Sequence, residues 1–101
     1  MYSSRQLADI LLSDYYSNKD LGQNFLVDDS VIESISILAD LDIKTGKKKI
    51  LEVGLGPGAL TQKLLQKGHD VIGIEIDEII CNHILLSIQF TILEHAKIGK
   101  F

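Results

Sequence analysis

The sequence predicts an α/β fold, the opening strands of a parallel sheet with flanking helices. Three observations predict it. A short apolar run, "KILEV" (49–53), stops at a glycine-rich loop, "GLGPG" (54–58). A helical repeat, "ALTQKLLQKG" (59–68), follows at once. Strand-like and helix-like runs then alternate: "HDVIGIEID" (69–77), "EIICNHILLSI" (78–88) and "QFTIL" (89–93), the last a candidate third strand. Strand–helix–strand–helix–strand with short gaps argues for parallel pairing through right-handed crossovers. Two or three strands are expected, the first read as a buried parallel strand and the third as an edge that exposes backbone and apolar groups.

Before the first strand the pattern is helical. Leu7, Ile10, Leu11 and, one turn on, Asp14 and Tyr15 recur at helical spacing over 4–16. "YYSNKDLGQ" (15–23) reads as a loop. A second helix starts near Asp28 and Asp29, where Ser30 and Glu33 have capping-box spacing. Its apolar stripe is Val31, Ile35, Leu38 and Ala39, and it ends near Leu41 ahead of a turn, "IKTGKKK" (43–49). In the third helix Leu60, Leu64 and Leu65 point inward and Gly68 is placed as the C-cap. The chain divides into an amino-terminal helical segment, 1–48, and a partial nucleotide-type domain, 49–101.

Composition excludes several classes. A chain of 101 residues holds one domain at most, and 46% hydrophobic residues suit a globular core. No apolar run reaches the length of a membrane span, and "LADILL" (7–12) makes a poor signal peptide. Cys81 is the single cysteine, which rules out an intrachain disulfide and a thiolate cluster, and a reducing, cytoplasmic setting is expected. Cys81 itself reads as core. His69 and His83 have no companions at ligand spacing, so no metal site is expected. The net charge of −4 is uneven, with Lys44, Lys47, Lys48 and Lys49 clustered before the first strand. A strongly basic nucleic-acid footprint is absent.

The loop carries the chemistry. Glycines at the carboxyl end of a first strand let the chain turn at positive φ and let a ligand approach the backbone. Pro57 stiffens the turn. No Gly-Lys-Ser/Thr follows, so this is not a triphosphate loop, and the third glycine comes one residue early for a dinucleotide fingerprint. Glu52 at the mouth of the strand would repel a pyrophosphate. It can pair instead with the ammonium of an amino-acid-like ligand, which tilts the reading to S-adenosyl-L-methionine. Glu75 ends the second strand 17 residues beyond Gly58, where a carboxylate accepts ribose hydroxyls. Asp77 reads as the N-cap of the next helix. The bland alternative is a tight turn that binds nothing.

The stretches "LGQNFLVDDSVIESI", "ILEVGLGPGALTQKLL" and "VIGIEID" resemble the amino-terminal part of the ribosomal RNA adenine dimethyltransferases, the small-subunit rRNA methyltransferase A family. The resemblance covers roughly residues 19–80. Gln23-Asn24-Phe25-Leu26 is its most specific mark, because the glycine loop alone says only Class I methyltransferase. The resemblance implies a truncated Rossmann-like core that uses S-adenosyl-L-methionine. Carried over residue by residue, Asn24 and Leu26 line the cofactor pocket, Gly54 contacts the methionine moiety and Glu75 the ribose. Glu52, Gly56 and Gly58 are weaker candidates. His95 is another, since Glu94-His95-Ala96 stands where the family has Gly-Asp-Ala and an adenine-binding aspartate.

The resemblance further implies in-line methyl transfer to N6 of adenosines in small-subunit rRNA, an rRNA (adenine-N6,N6)-dimethyltransferase activity, with rRNA or a pre-ribosomal particle as partner. No metal and no membrane take part. The family's Asn-Leu/Ile-Pro-Tyr motif, which receives the target base, has no counterpart here, since Pro57 is the single proline. No catalytic residue is assigned. The 101 residues alone are expected to be marginally stable and catalytically silent, with self-association through an exposed sheet edge. The competing expectation is a non-catalytic nucleotide- or protein-binding remnant. A nicotinamide-dinucleotide domain is disfavoured by Glu52 and by the loop spacing.

Overall fold

A computed structural model describes residues 2–13, 25–41, 48–87 and 96–100. The described elements are α1 (Ser4–Ser13), α2 (Asp29–Ala39), β1 (Lys49–Val53), α3 (Ala59–Gln66), β2 (Asp70–Glu75), α4 (Glu78–Ser87) and β3 (Ala96–Lys100). The three strands form one parallel sheet in the order β1-β2-β3. This is the expected α/β class, a partial Rossmann-like fold.

Alternation along each strand sends neighbouring side chains to opposite faces. Val71 is buried, and Ile50 and Ile98 pack against the same cluster. That cluster holds Leu11 of α1, Leu64 and Leu65 of α3, and Ile80 and Ile84 of α4. Leu64 and Leu65 are each 2% exposed, and burying a leucine this fully stabilises by roughly 1.5–3 kcal/mol. The opposite face is uncovered, with Leu51 at 61%, Val53 at 65% and Ile72 at 42% exposure. The expectation of a buried first strand is therefore met on one face. All the described helices that pack on the sheet share the Val71 side.

The helix ends follow local chemistry. Asp28 caps α2, accepting from the Ser30 and Val31 amides at 2.9 and 3.3 Å. The expected capping box is not made. Glu33 instead pairs with Lys63 of α3 at 2.9 Å. The inward face of α2 is the expected one only at Ala39, which packs against the main core. Ile32 and Ser36 are buried, whereas Val31, Ile35 and Leu38 are exposed. The reason is tertiary. Asp29 accepts from the Ser4 amide at 3.0 Å and Glu33 reaches Lys63, and these contacts turn the helix so that Ile32 packs with Leu7 and Ala59. Gly68 closes α3 as expected, its amide donating to the Leu65 carbonyl at 3.0 Å.

The candidate third strand at 89–93 lies outside the described residues, as do the end of the first helix, 14–16, and His95. The strand beside β2 is Ala96–Lys100, in the stretch read as following a third strand. It is in register with β2 through Gly73 opposite Ile98. Its Lys-Ile-Gly-Lys composition gives little strand signal by itself. The position is instead fixed by Ile98, which packs over Gly73, where a Cβ would come within 2.9 Å of the Ile98 side chain and 2.8 Å of Leu55.

Candidate cofactor site

Residues 54–58 leave β1 with Gly54, Gly56 and Gly58 at φ of +78°, +53° and +95°. Side chains rarely tolerate that region, which explains three glycines in five positions. The Gly54 amide donates to the Ile74 carbonyl at 2.8 Å and the Gly58 amide to the Leu55 carbonyl at 3.1 Å. Gly58 then opens α3, its carbonyl accepting from the Gln62 amide at 2.8 Å.

Glu75 anchors the loop from β2. It is 4% exposed. Its Oε1 accepts from the Leu55 amide at 2.7 Å and from the Gly56 amide at 3.4 Å, and its Oε2 accepts from the Asp77 amide at 3.1 Å. This loop-holding role was not legible in the sequence, which pointed only to ribose. The two are compatible, because a carboxylate has about four acceptor positions. Asp77 caps α4 as expected, accepting from the Ile79 amide at 2.9 Å.

Glu52 accepts the Thr61 hydroxyl at 2.6 Å. Withdrawal from water pushes its pKa up to about 7; the Thr61 hydrogen bond opposes the shift and the Glu75 charge adds to it. His83 is a second residue the sequence undervalued. Its Nε2–H donates to the Pro57 carbonyl at 2.7 Å, so α4 grips the loop from behind. Burial holds its pKa below the ordinary value, partly offset by the bond to Pro57. Cys81 is buried, as expected.

These groups surround a cavity of about 360 Å³ at the carboxyl ends of β1 and β2, within the roughly 300–1,000 Å³ of small-molecule sites. Its lining brings together Leu26, Glu52, Gly54, Gly56 and Glu75, with Phe25 beside them. Phe25 is partly buried against the main core, 3.7 Å from where a Cβ on Gly56 would stand. Leu26 is 44% exposed and faces the cavity as a rim. Gly58 is absent from the lining. Asn24 and His95 lie outside the described residues. Among the described residues there is no His/Cys/Asp/Glu cluster fit for a metal, and no helix is long and apolar enough to cross a membrane.

An open parallel sheet with a glycine loop after its first strand and an acid at the end of its second is a nucleoside-cofactor binding core. The chain belongs to the ribosomal RNA adenine dimethylase family, whose profile matches residues 15–96. It is similar to the ribosomal RNA small subunit methyltransferase A of Clostridium botulinum (strain Loch Maree / Type A3), 45% identical over 60 residues, which is 59% of this chain and 21% of that protein. The protein of the same name from Staphylococcus aureus (strain JH9) is 41% identical over 70 residues, 67% of this chain and 23% of its own length. The chain thus spans about a fifth of the length of these curated relatives. A TehB-like SAM-dependent methyltransferase from Corynebacterium glutamicum has a solved structure with a TM-score of 0.48 and 26% identity, over 65% of this chain and 33% of that one.

Proposed function

We propose that this chain is the methyl-donor-binding part of an rRNA adenine dimethyltransferase and that its cavity holds S-adenosyl-L-methionine. One observation carries the reading. The Phe25–Leu26 segment, the glycine loop and two carboxylates, far apart in sequence, meet on a single cavity. The donor set fits the cofactor. Glu75 keeps acceptor capacity for ribose hydroxyls, Gly54 and Gly56 leave the backbone open to close approach, and Leu26 offers apolar cover. Glu52 provides a negative charge for a cationic ligand. Asn24 and His95 complete the assignment by resemblance, and Gly58 acts by shaping the loop. Residues 1–48 serve as the covering segment and 49–101 as the partial cofactor domain.

The cofactor supplies an electrophilic methyl group. The residues of this chain bind and orient it, and orientation is the larger part of catalysis in a direct transfer. In a complete version the substrate is the N6 amine of adenosines in small-subunit rRNA, the partner is that RNA or a pre-ribosomal particle, and the setting is cytoplasmic.

Calorimetric binding of S-adenosyl-L-methionine to the 101-residue chain tests the reading. Saturable binding, weakened tenfold or more by Glu75→Ala, supports it, whereas no binding to a folded sample contradicts it. A second reading, a non-catalytic nucleotide- or protein-binding remnant that self-associates or docks through its sheet, is favoured by the uncovered Leu51, Val53 and Ile72. Concentration-dependent dimerisation lost in Leu51→Lys, without cofactor binding, would favour that one.

A further inference from the structure

We propose that Glu52 makes the cavity select a ligand with a positively charged end, and that its carboxyl gives up a proton when that end binds. This rests on the cofactor reading above and adds the charge state and the linkage. Among the described residues, two carboxylates, Glu52 and Glu75, line the cavity, with no lysine, arginine or histidine beside them. Glu75 is already committed to three amides, two of the loop and that of Asp77. Amide donors are the partners a carboxylate needs, so Glu75 is well supported without a ligand. Glu52 has a single hydrogen bond among the described residues, from a neutral hydroxyl, which leaves its charge poorly compensated.

Among the described residues, the groups that line the cavity around Glu52 offer no cation. α3 presents Thr61, the 25–26 segment presents Phe25 and Leu26, α2 presents Ile32 and α4 presents Ile80. Glu75 on β2 is the one charged group acting on it among the described residues. Two like charges sharing a partly desolvated site cannot both be comfortable, and the proton settles on the less supported of the two. Its pKa of about 7 fits that placement. An ammonium or sulfonium entering the cavity reverses the balance. It pairs with the carboxylate and expels the proton to solvent, so the charge brought in is matched by charge released.

Calorimetry of the 101-residue chain with S-adenosyl-L-methionine at pH 7, in phosphate and in Tris, reads the proton directly, because the two buffers take it up with different heats. Release of about half a proton per ligand is expected, with affinity rising about tenfold from pH 6 to pH 8 and flat above. 5′-Methylthioadenosine, which keeps the nucleoside but carries no positive charge, should bind with no proton release. Glu52→Gln should bind the cofactor more weakly and without pH dependence. If that variant does not fold, carboxyl NMR of Glu52 in the unaltered chain, with and without ligand, reads the same titration. Cofactor binding with equal heats in both buffers, or equal release with the neutral nucleoside, overturns the proposal and leaves the cofactor reading intact. Absence of cofactor binding overturns both.

Discussion

His83 Nε2–H donates to the Pro57 carbonyl at 2.7 Å. The bond crosses 26 residues and ties α4 to the middle of the glycine-rich loop. Because the carbonyl can only accept, Nε2 carries the proton, and Nδ1 is left to accept from the Ser87 hydroxyl at 3.2 Å. The loop is thus held from both sides, by Glu75 at its amides and by His83 at its carbonyl. His83→Ala should cost about 1–2 kcal/mol of stability, as expected for a buried acceptor left unsatisfied. It should also weaken cofactor binding, and His83→Gln should recover part of both losses. Urea denaturation and calorimetry check this.

The same residue predicts a pH dependence. Burial lowers the His83 pKa below 6.5, so below that pH the unfolded chain takes up a proton that the folded chain resists. The stability linked to the neutral ring is full above 6.5 and is lost as the pH falls below it. The stability difference between the unaltered chain and His83→Gln should therefore shrink between pH 7 and pH 5. An unchanged difference contradicts the neutral-ring assignment.

Glu52 has the opposite sign. Its pKa is raised from 4.5 to about 7, so the folded chain holds a proton that the unfolded chain has released. Stability should fall as the pH rises through that window and level off above it, by roughly 3 kcal/mol. Glu52→Gln should remove this slope in ligand-free protein. Thr61→Val, which deletes the opposing hydrogen bond, should move its upper end to higher pH. Denaturation at pH 5, 7 and 8.5 separates these outcomes.

The close approach at Gly73 predicts a packing effect that reaches the site. A Cβ there meets Leu55 at 2.8 Å and Ile98 at 2.9 Å. Both neighbours are side-chain ends, so Gly73→Ala should be tolerated by small shifts. Gly73→Val should overpack and cost about 1–3 kcal/mol. Because Leu55 belongs to the glycine loop, the larger substitution should also weaken cofactor binding. Thermal denaturation and calorimetry on the two variants check both effects.

The two faces of the sheet should respond differently in the 101-residue chain. Val53→Thr, on the open face, should change stability by no more than about 0.5 kcal/mol. Leu65→Ala, on the inward face of α3, should cost about 2–5 kcal/mol. Similar costs at both positions would mean that the Val53 face is covered in solution.

What was legible in the sequence was local. The loop glycines, the Asp77 cap, the Gly68 stop and the inward leucines of α3 each depend on neighbours a few residues away, and each appears in the structure. The hidden features are contacts between distant segments. The apolar residues of α2 lie on more than one side, and its inward face was chosen by Asp29 and Glu33 reaching α1 and α3. His69 gave no signal, yet it is 1% exposed. Its Nδ1 accepts the Lys48 amide at 3.0 Å and its Nε2 donates to Asp40 at 2.6 Å, partners 21 and 29 residues away. Glu75 was found as an acid at a strand end, but its bonds to the loop amides required the fold. The strand at Ala96–Lys100 was missed because its composition is poor in strand formers and a packing partner, Gly73, fixes it.

The proposed occupant of the cavity between Leu26, the glycine loop and Glu75 is S-adenosyl-L-methionine. Amide NMR of the 101-residue chain during titration with that compound tests it most directly. Saturable shifts centred on Gly54, Leu55, Gly56 and Glu75 are expected, with little change at Leu51 or Ile72 on the open face. A folded chain whose loop amides stay fixed as the compound is added would contradict it.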